Sequence, residues 1–291
     1  MRSKLFVPGS RPEFFSKALA SEADALSFDL EDAVAESRKG EARATVGDFL
    51  ASSAAHRSGK TLIVRVNPAD SPHFEADLHA VVRQGLHLVN LPKVETLEQV
   101  RQARAAMDSA CQANQVQTPP RLLLNIESPR GLRCVLALAS ADPAVAGLQL
   151  GFGDLFEPLG ISRSDTRAVH ACMLAVRLAA AEAGVFVLDS AFTNIGDSDG
   201  YLAEAKMARD LGYIGKSCIH PRQVALANQV FRPSADDIEQ ARRVLSAARD
   251  AAREGLAAFQ IGGRMIDGPF IDRAETILAE ARRHGLIGAD A

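Results

Sequence analysis

The sequence predicts an α/β protein, a (β/α)8 TIM barrel with a helical extension at its C-terminus. Short apolar runs rich in Val, Ile, Leu and Phe alternate with longer helix-patterned stretches over about the first 220 residues. This alternation favours a parallel sheet, because parallel strands need crossover connections. Eight such runs occur, which is the number that closes a barrel. No G-x-G-x-x-G follows the first run, which argues against a doubly wound open sheet.

The eight apolar runs are the predicted strands, each bounded by turn residues or by a helical pattern. They are Lys4–Val7, Ala25–Leu30, Leu62–Val66, Leu88–Leu91, Leu122–Ile126, Leu148–Leu150, Phe186–Leu188 and Ser217–Ile219. The stretches between them have helical periodicity. The predicted helices are Pro12–Ala20, Arg38–Ala54, Phe74–Gln84, Thr96–Ala113, Gly131–Ala139, Asp165–Ala183 and Leu202–Asp210.

The pattern changes after Pro221, where only helices are predicted. A long helix over Asp236–Ala258 is followed by Gly262-Gly263, a short segment over Arg264–Pro269 and a last helix over Ile271–His284. We therefore expect a catalytic barrel domain over residues 1–232 and a helical extension over residues 233–291, acting as a lid or an oligomer arm.

Composition limits the possible partners. The chain has 291 residues, 47% hydrophobic and 24% charged, as in an ordinary globular protein with a sizeable core. Its net charge is −3 with both signs mixed, so we expect no nucleic-acid or anionic membrane partner. We find neither a signal-peptide core nor an apolar run long enough to span a bilayer, which predicts a cytoplasmic protein.

Polar residues gather at the predicted carboxyl ends of the strands, where barrels carry their chemistry. The sequence places there the segment Asp29–Asp32, Arg65, Lys93, Glu127, Asp154, Asp189 and His220. So many acids at one barrel mouth repel one another unless a cation neutralises them.

Glu127 and Asp154 follow consecutive strands and form the natural pair for a cation. Oxygen ligands with water in the remaining positions suit Mg²⁺. Arg65 lies at the end of another strand. The alternative is that each polar residue caps the next helix, because Asp32, Ser128 and Asp154 all stand where an N-cap could.

Other residues at the strand ends and in the first helix suggest different chemistries. Lys93 and Lys216 are candidates for a Schiff-base aldolase, although neither stands in a recognisable acid and base constellation. His220 has no partner at metal-ligand spacing, which argues against zinc. Arg11 and Lys17 begin the first helix and either bind anionic groups or form a solvated helix face.

The motifs of the chain closely resemble the citrate lyase beta subunit-like branch of the HpcH/HpaI aldolase superfamily. Seven blocks in the same order carry this resemblance over nearly the whole chain: Ser3–Gly9 with Arg11-Pro12 and Lys17-Ala18, Phe28–Val34, Arg65–Asn67, Leu91–Glu95, Ile126–Ser128, Gly215–Gln223 and Ile266–Pro269.

This resemblance implies a Mg²⁺-dependent enzyme that reversibly cleaves a carbon–carbon bond of a hydroxyacyl thioester. By the family pattern Glu127 and Asp154 hold the metal, Arg65 binds substrate and stabilises negative charge, and Glu127 also meets substrate. The pattern further implies that Phe6, Arg11 and Lys17 contact substrate or coenzyme A, and that Asp267 reaches the active site of a neighbouring subunit.

The resemblance and the chemistry together predict an acyl-CoA lyase that splits citramalyl-CoA into pyruvate and acetyl-CoA, with malyl-CoA as the next substrate. We expect a homotrimer or hexamer of a stand-alone enzyme, in which Asp267 protonates the enolate carbon. The general base is left open among Asp29, Glu31, Asp32 and a metal-bound hydroxide.

Two alternatives to this prediction stay open, and a departure from the family pattern motivates the non-catalytic one. Gly153 precedes Asp154, where the family often has Glu. The loss of a neighbouring carboxylate can alter metal affinity or substrate preference. The alternatives are a citrate lyase beta subunit acting on a carrier-protein thioester, and a non-catalytic barrel that serves as a binding subunit.

Overall fold

The computed structural model describes residues 1–288, so the last three positions of the predicted extension, 289–291, lie outside the described residues. The chain divides into two compact units, Met1–Phe231 and Arg232–Ala291. Among residues 1–288, no helix is long and apolar enough to cross a membrane.

The first unit is a closed barrel of eight parallel strands in sequence order, which confirms the predicted fold. Its strands are β1 (Ser3–Pro8), β2 (Ala25–Asp29), β3 (Thr61–Arg65), β4 (Leu88–Leu91), β5 (Arg121–Ile126), β6 (Val145–Leu150), β7 (Phe186–Asp189) and β8 (Gly215–Cys218). The last strand pairs with the first, with Lys4 opposite Ser217. Each predicted strand overlaps an observed one, because a buried parallel strand needs apolar residues on both faces.

Helices surround the barrel and connect consecutive strands. They are α1 (Phe15–Leu19), α2 (Lys39–Leu50), α3 (Ser53–His56), α4 (Phe74–Val81), α5 (Leu97–Ala113), α6 (Pro129–Arg133), α7 (Val135–Ala139), α8 (Phe152–Phe156), α9 (Thr166–Glu182), α10 (Ser198–Asp210) and α11 (Pro221–Val230). Short 3₁₀ turns lie at Pro12–Phe14, Glu36–Arg38 and Glu157–Leu159. The predicted helix over Gly131–Ala139 is two short helices that meet at Cys134.

Two separate apolar clusters hold the barrel together. The larger lies between strands and helices and includes Leu26, Phe28, Val64 and Leu124, all fully buried. The smaller contains one apolar residue from each of six strands: Ala25, Ile63, Leu88, Leu123, Ala146 and Leu188.

The second unit corrects the prediction that only helices follow Pro221. Between α12 (Ala235–Arg253) and α13 (Gly268–Arg283) lies an antiparallel hairpin of β9 (Phe259–Ile261) and β10 (Arg264–Ile266). Gly262 and Gly263 form its two-residue turn with φ of 57° and 81°, and tight hairpin turns of this kind favour glycine. The unit has its own apolar cluster, which includes Ile238, Val244 and Leu278.

Candidate active site

Arg65 at the end of β3 is fixed by a bidentate contact with Asp29 at the end of β2. Its Nε and Nη2 each donate to one carboxylate oxygen of Asp29 at 2.7 Å. Asp29 also accepts from the backbone N–H groups of Glu31 and Ala33, both at 3.0 Å. Although burial alone would raise it, the Arg65 charge and these donors hold the pKa of Asp29 below its ordinary value. Asp29 is therefore an anchor for Arg65 and a poor base.

Glu31 lies between two cations. Its Oε2 is 2.8 Å from Nη1 of Arg65, and its Oε1 is 2.8 Å from Nζ of Lys93. Both cations also reach the exposed Asp32, at 3.3 Å for Arg65 and 3.5 Å for Lys93. Burial raises the pKa of Glu31 to about 7 despite the two cations, and the charges of Asp32 and Glu127 act in the same direction. Glu31 is thus a carboxyl group that can change its charge near neutral pH.

Glu127 and Asp154 are the two acids that could hold a metal. Glu127 follows β5 and is buried; its Oε1 accepts from the backbone N–H of Lys93 at 2.6 Å and its Oε2 from Nδ2 of Asn125 at 3.1 Å. Burial raises the pKa of Glu127, and the negative charge of Asp154 raises it further. A cation between the two acids would relieve both effects.

Two glycines next to the acids, Gly151 and Gly153, leave space beside Glu127 and Asp154. Asp154 is exposed and lies in the first turn of α8, whose N-cap is Gly151, so Asp154 is not the cap. A Cβ built on Gly151 would lie 2.6 Å from Cβ of Glu127 and closer still to Oε2. A Cβ on Gly153 would meet nothing within 4 Å, so the departure from the family motif leaves open space beside Asp154.

One cavity of about 460 Å³ collects most of the predicted site residues. It is lined by Phe6, Asp32, Arg65, Glu127 and Asp154, together with unpredicted polar residues: Asn125, Gln149, Arg163, Ser190 and Thr193. The Phe6 ring lies under two cations, with its centroid 5.1 Å from Cζ of Arg65 and 4.1 Å from Nζ of Lys4. The arrangement suits a small anionic ligand that presents several oxygens.

A second cavity of about 520 Å³ adjoins the first and has a largely apolar lining. Phe6, Pro8 and Ile219 line both cavities. Lys17 lines the second one. Arg11 lines neither cavity; it is half exposed, pairs with Glu13 and lies 4.7 Å over the Phe14 ring.

Asp267 belongs to the second unit, where it is the N-cap residue of α13. Its side chain forms no capping hydrogen bond. Within the described residues its Oδ1 is buried without a hydrogen-bond partner. A buried unpartnered carboxylate oxygen is costly unless a further group meets it.

Two buried hydrogen-bond networks were not predicted, although Asp189 and Lys216 of the second were themselves candidate residues. Lys4, Asn90, Asn125 and Gln149 lie inside the barrel, and Lys216 bonds Asp189 and Glu204 at 2.5 Å each. Polar residues within apolar strands, such as Asn90 in Leu88–Leu91, could have signalled the first group. Lys216 is enclosed by carboxylates, so neither it nor Lys93 stands as a free amine for Schiff-base chemistry.

The donor set fits a hard divalent cation better than a transition metal. Within residues 1–288, no group of three or more His, Cys, Asp or Glu side chains is placed to hold a metal ion. Mg²⁺ commonly takes one or two protein carboxylates and completes its shell with water and substrate oxygens. Glu127 and Asp154 supply such a pair at the cavity wall. His220 instead caps α11 by accepting from the N–H of Arg222 at 3.2 Å.

Comparison with known proteins agrees with this description. Residues 2–221 match the family described as HpcH/HpaI aldolase/citrate lyase. The chain is 37% identical to the citrate lyase subunit beta of Haemophilus influenzae, over 97% of both chains. It is 32% identical to the L-malyl-CoA/beta-methylmalyl-CoA lyase of Cereibacter sphaeroides, over 96% of this chain and 94% of that one.

A solved structure is similar over almost the whole chain. It is the CitE protein of Mycobacterium tuberculosis in complex with magnesium, acetoacetate and coenzyme A, with a TM-score of 0.75 and 32% identity over 97% of this chain and 99% of that one. The chain therefore belongs to the HpcH/HpaI aldolase/citrate lyase family, and the resemblance drawn from its motifs is confirmed. The prediction of an enzyme of the lyase class is confirmed as well, since these relatives are named lyases.

Proposed function

We propose that this chain is a Mg²⁺-dependent lyase that cleaves a 3-hydroxyacyl-CoA thioester, with citramalyl-CoA as its substrate and malyl-CoA next. The observation that carries the proposal is the meeting of Arg65, Glu127 and Asp154 around one cavity. The magnesium, acetoacetate and coenzyme A bound by the M. tuberculosis relative support the same set of ligands here.

Glu127 and Asp154 would hold the metal, and Arg65 would face the substrate oxygens. A bound Mg²⁺ would supply Lewis-acid polarisation of the substrate's carboxylate and hydroxyl oxygens. The apolar second cavity would accept the chain of the thioester, with Phe6 shared between the two cavities and Lys17 meeting anionic groups of coenzyme A. Arg11, half exposed beside Phe14, is proposed as a further coenzyme A contact.

The reaction requires one base and one acid. Removal of the substrate hydroxyl proton forms the carbonyl of the 2-oxo acid and breaks the neighbouring carbon–carbon bond. The electron pair passes to the acetyl-CoA carbon as an enolate, which then takes up a proton. Arg65 would offset the negative charge of the transition state, and a donor of this kind is worth about 3 kcal/mol.

Asp32 is the proposed base, because it lines the cavity and its carboxylate is half exposed beside Arg65. Glu31, paired with Arg65 and Lys93, would set the local charge and hold both cations in place. Asp267 of a neighbouring subunit in a homotrimer or hexamer is the proposed acid for the enolate carbon. Its side chain forms no capping hydrogen bond with α13, which is consistent with a role outside that helix.

The citrate lyase beta subunit reaction is a second candidate, favoured by the 37% identity with the Haemophilus influenzae subunit. Its substrate would be a citryl thioester, which yields oxaloacetate and an acetyl thioester.

A substrate panel tests both candidates. Malyl-, citramalyl-, citryl- and hydroxymethylglutaryl-CoA would each be incubated with protein and Mg²⁺, and the released acetyl-CoA and oxo acid measured, which is a 2-oxo acid for the first three and acetoacetate for the last. We expect pyruvate from citramalyl-CoA, and no activity in Asp154→Asn or after chelation of Mg²⁺. Activity only on a citryl carrier-protein thioester would favour the second candidate. Binding of Mg²⁺ and pyruvate by calorimetry without any turnover would indicate a non-catalytic binding subunit.

A further inference from the structure

A layer of buried polar side chains crosses the barrel interior directly below the cavity. Lys4 on β1 is fully buried, and its Nζ donates to Oδ1 of Asn90 on β4 at 2.7 Å and to Oε1 of Gln149 on β6 at 2.6 Å. Strand β1 pairs only with β2 and β8, so contacts with β4 and β6 must cross the interior. Barrel interiors are usually filled by branched apolar residues, which makes this layer unusual.

The layer continues to the candidate metal ligand. Nδ2 of Asn90 donates to Oδ1 of Asn125 at 2.7 Å, and Nδ2 of Asn125 donates to Oε2 of Glu127 at 3.1 Å. All members of this chain are buried. Three hydrogen bonds therefore connect the amine of Lys4 with the carboxylate of Glu127.

Two groups fix the direction of the bonds in this chain: Nζ of Lys4 donates to Oδ1 of Asn90, and Nδ2 of Asn90 also donates to the backbone carbonyl of Leu123 at 3.1 Å. An ammonium group can only donate, so Asn90 and Gln149 must turn their oxygens toward Lys4. The NH₂ of Asn90 then faces Asn125, which must accept with its oxygen and turn its own NH₂ toward Glu127. Burial lowers the pKa of Lys4, but a neutral amine still has two N–H bonds for these two oxygens.

Without Lys4, Oδ1 of Asn90 would lose its donor, and only the carbonyl of Leu123 would still hold that amide. A buried amide oxygen without a donor is unfavourable, so the Asn90 side chain would shift toward a new partner. Asn125 would then lose its fixed contact with Asn90. The carboxylate of Glu127, which accepts from Asn125, would be less firmly oriented for a cation.

We propose that Lys4 is a positioning residue that acts through Asn90 and Asn125 to keep the carboxylate of Glu127 oriented for the cation. The same lysine fixes Gln149, whose Oε1 also accepts from Oγ of Ser217 at 3.2 Å. Gln149 lines the cavity, and because its Oε1 is already used, its Nε2 would be the end that donates to an oxygen of a 2-oxo acid bound there. This inference rests on the proposed function, because it takes Glu127 as a metal ligand.

The free-energy cost of burying these polar side chains supports a functional role for them. Burying an amine and three amides in a barrel is unfavourable unless every group is paired. An apolar side chain at position 4 would fill the same space without that requirement. Ser27, in contrast, has a buried Oγ without a hydrogen-bond partner among the described residues and takes no part in the chain.

The test is a calorimetric titration of the full-length protein with Mg²⁺, without substrate. We expect Lys4→Met to reduce Mg²⁺ affinity by about tenfold to a hundredfold, as for other residues that orient metal ligands. Asn90→Ala cuts the chain without removing the lysine and should have a similar effect, which covers the case that Lys4→Met fails to fold. Ser27→Ala is the matched interior control and should bind Mg²⁺ as the wild type does.

A double-mutant cycle separates positioning from a general structural role. In an Asn125→Ala background, Lys4→Met should cause no further loss of Mg²⁺ affinity, because the connection is already cut. Losses that multiply in the double variant would overturn the proposal. The proposal would also be overturned if folded Lys4→Met bound Mg²⁺ as tightly as the wild type while Glu127→Gln lost Mg²⁺ binding. That result would leave the proposed function intact. A wild-type protein that does not bind Mg²⁺ would overturn the metal site and this inference together.

Discussion

Gly151 and Glu127 are packed so closely that a methyl group on the first would collide with the second. A Cβ on Gly151 would lie 2.6 Å from Cβ of Glu127 and nearer to its Oε2. The φ of Gly151 is −122°, which any residue adopts, so the backbone itself does not require glycine. Glycine is required at position 151 because Glu127 occupies the space that any larger side chain would need.

Gly151→Ala should therefore displace the Glu127 carboxylate and weaken Mg²⁺ binding by at least about tenfold. The variant should remain folded, since Glu127 borders a cavity into which it can move. Calorimetric titration with Mg²⁺ and circular dichroism would measure the two effects. Gly153→Ala, two residues along the same turn, is the control, because its Cβ meets nothing within 4 Å. Equal Mg²⁺ affinity in both variants would contradict the expectation.

Replacement of Arg65 should separate stability from activity. Arg65→Met leaves the buried carboxylate of Asp29 without its bidentate partner, which typically costs about 3–5 kcal/mol of unfolding free energy. The double variant Asp29→Asn/Arg65→Met removes that charge and should recover much of the stability. Neither variant should recover turnover, because both lack the guanidinium. Urea unfolding and 2-oxo acid release would check this, and an active double variant would exclude Arg65 from the reaction.

Glu31 should make stability depend on pH. Burial raises its pKa from 4.5 to about 7, so the folded protein holds a proton between these values that the unfolded chain has lost. The free energy of unfolding should therefore rise as the pH falls from about 8 to about 5. Asp189, whose pKa burial raises to about 6, acts in the same direction.

Glu31→Gln removes the contribution of Glu31 to the pH dependence of stability and keeps that of Asp189. Urea unfolding of both proteins at several pH values should give a smaller rise for the variant. If the two profiles run parallel throughout this range, Glu31 is already ionised in the folded protein at the lower end of it.

The sequence predicted those features of this protein that are set by residues close together in the chain. The eight strands follow from apolar runs, and the gathering of Arg65, Glu127 and Asp154 follows from their places at strand ends. The bonds of Lys4 with Asn90 and Gln149 join strands that are not neighbours, and no local pattern encodes such a pairing. The hairpin turn at Gly262-Gly263 was missed because its strands have only three residues each.

Lys17 should affect thioester binding and leave the chemical step unchanged. It lines the apolar cavity that adjoins the Arg65 cavity, and an exposed lysine there would meet an anionic group of coenzyme A. Lys17→Ala should raise KM for the CoA thioester about tenfold with kcat unchanged, and reduce the dependence of KM on salt. Lys206→Ala, on α10 and outside both cavity linings, should match the wild type. A fall in kcat alone would contradict a binding role.

Asp267 should contribute to turnover and little to stability. As the N-cap residue of α13 it forms no capping hydrogen bond, so Asp267→Asn removes none of the bonds that such a residue usually supplies. We expect a large fall in kcat, an unchanged KM and a melting temperature no lower than that of the wild type. Steady-state kinetics and thermal unfolding would check this, and full activity in the variant would remove Asp267 from the mechanism.

Complementation between two inactive variants tests whether Asp267 serves a neighbouring subunit. Asp154→Asn keeps Asp267 but lacks a metal ligand, and Asp267→Asn keeps the metal ligands but lacks the acid. If the acid crosses between subunits, oligomers unfolded and refolded as a mixture should contain some sites with both groups intact, and activity should return. If each chain supplies its own acid, every site in the mixture lacks one group. A mixed oligomer without activity would therefore assign Asp267 to the cavity of its own chain.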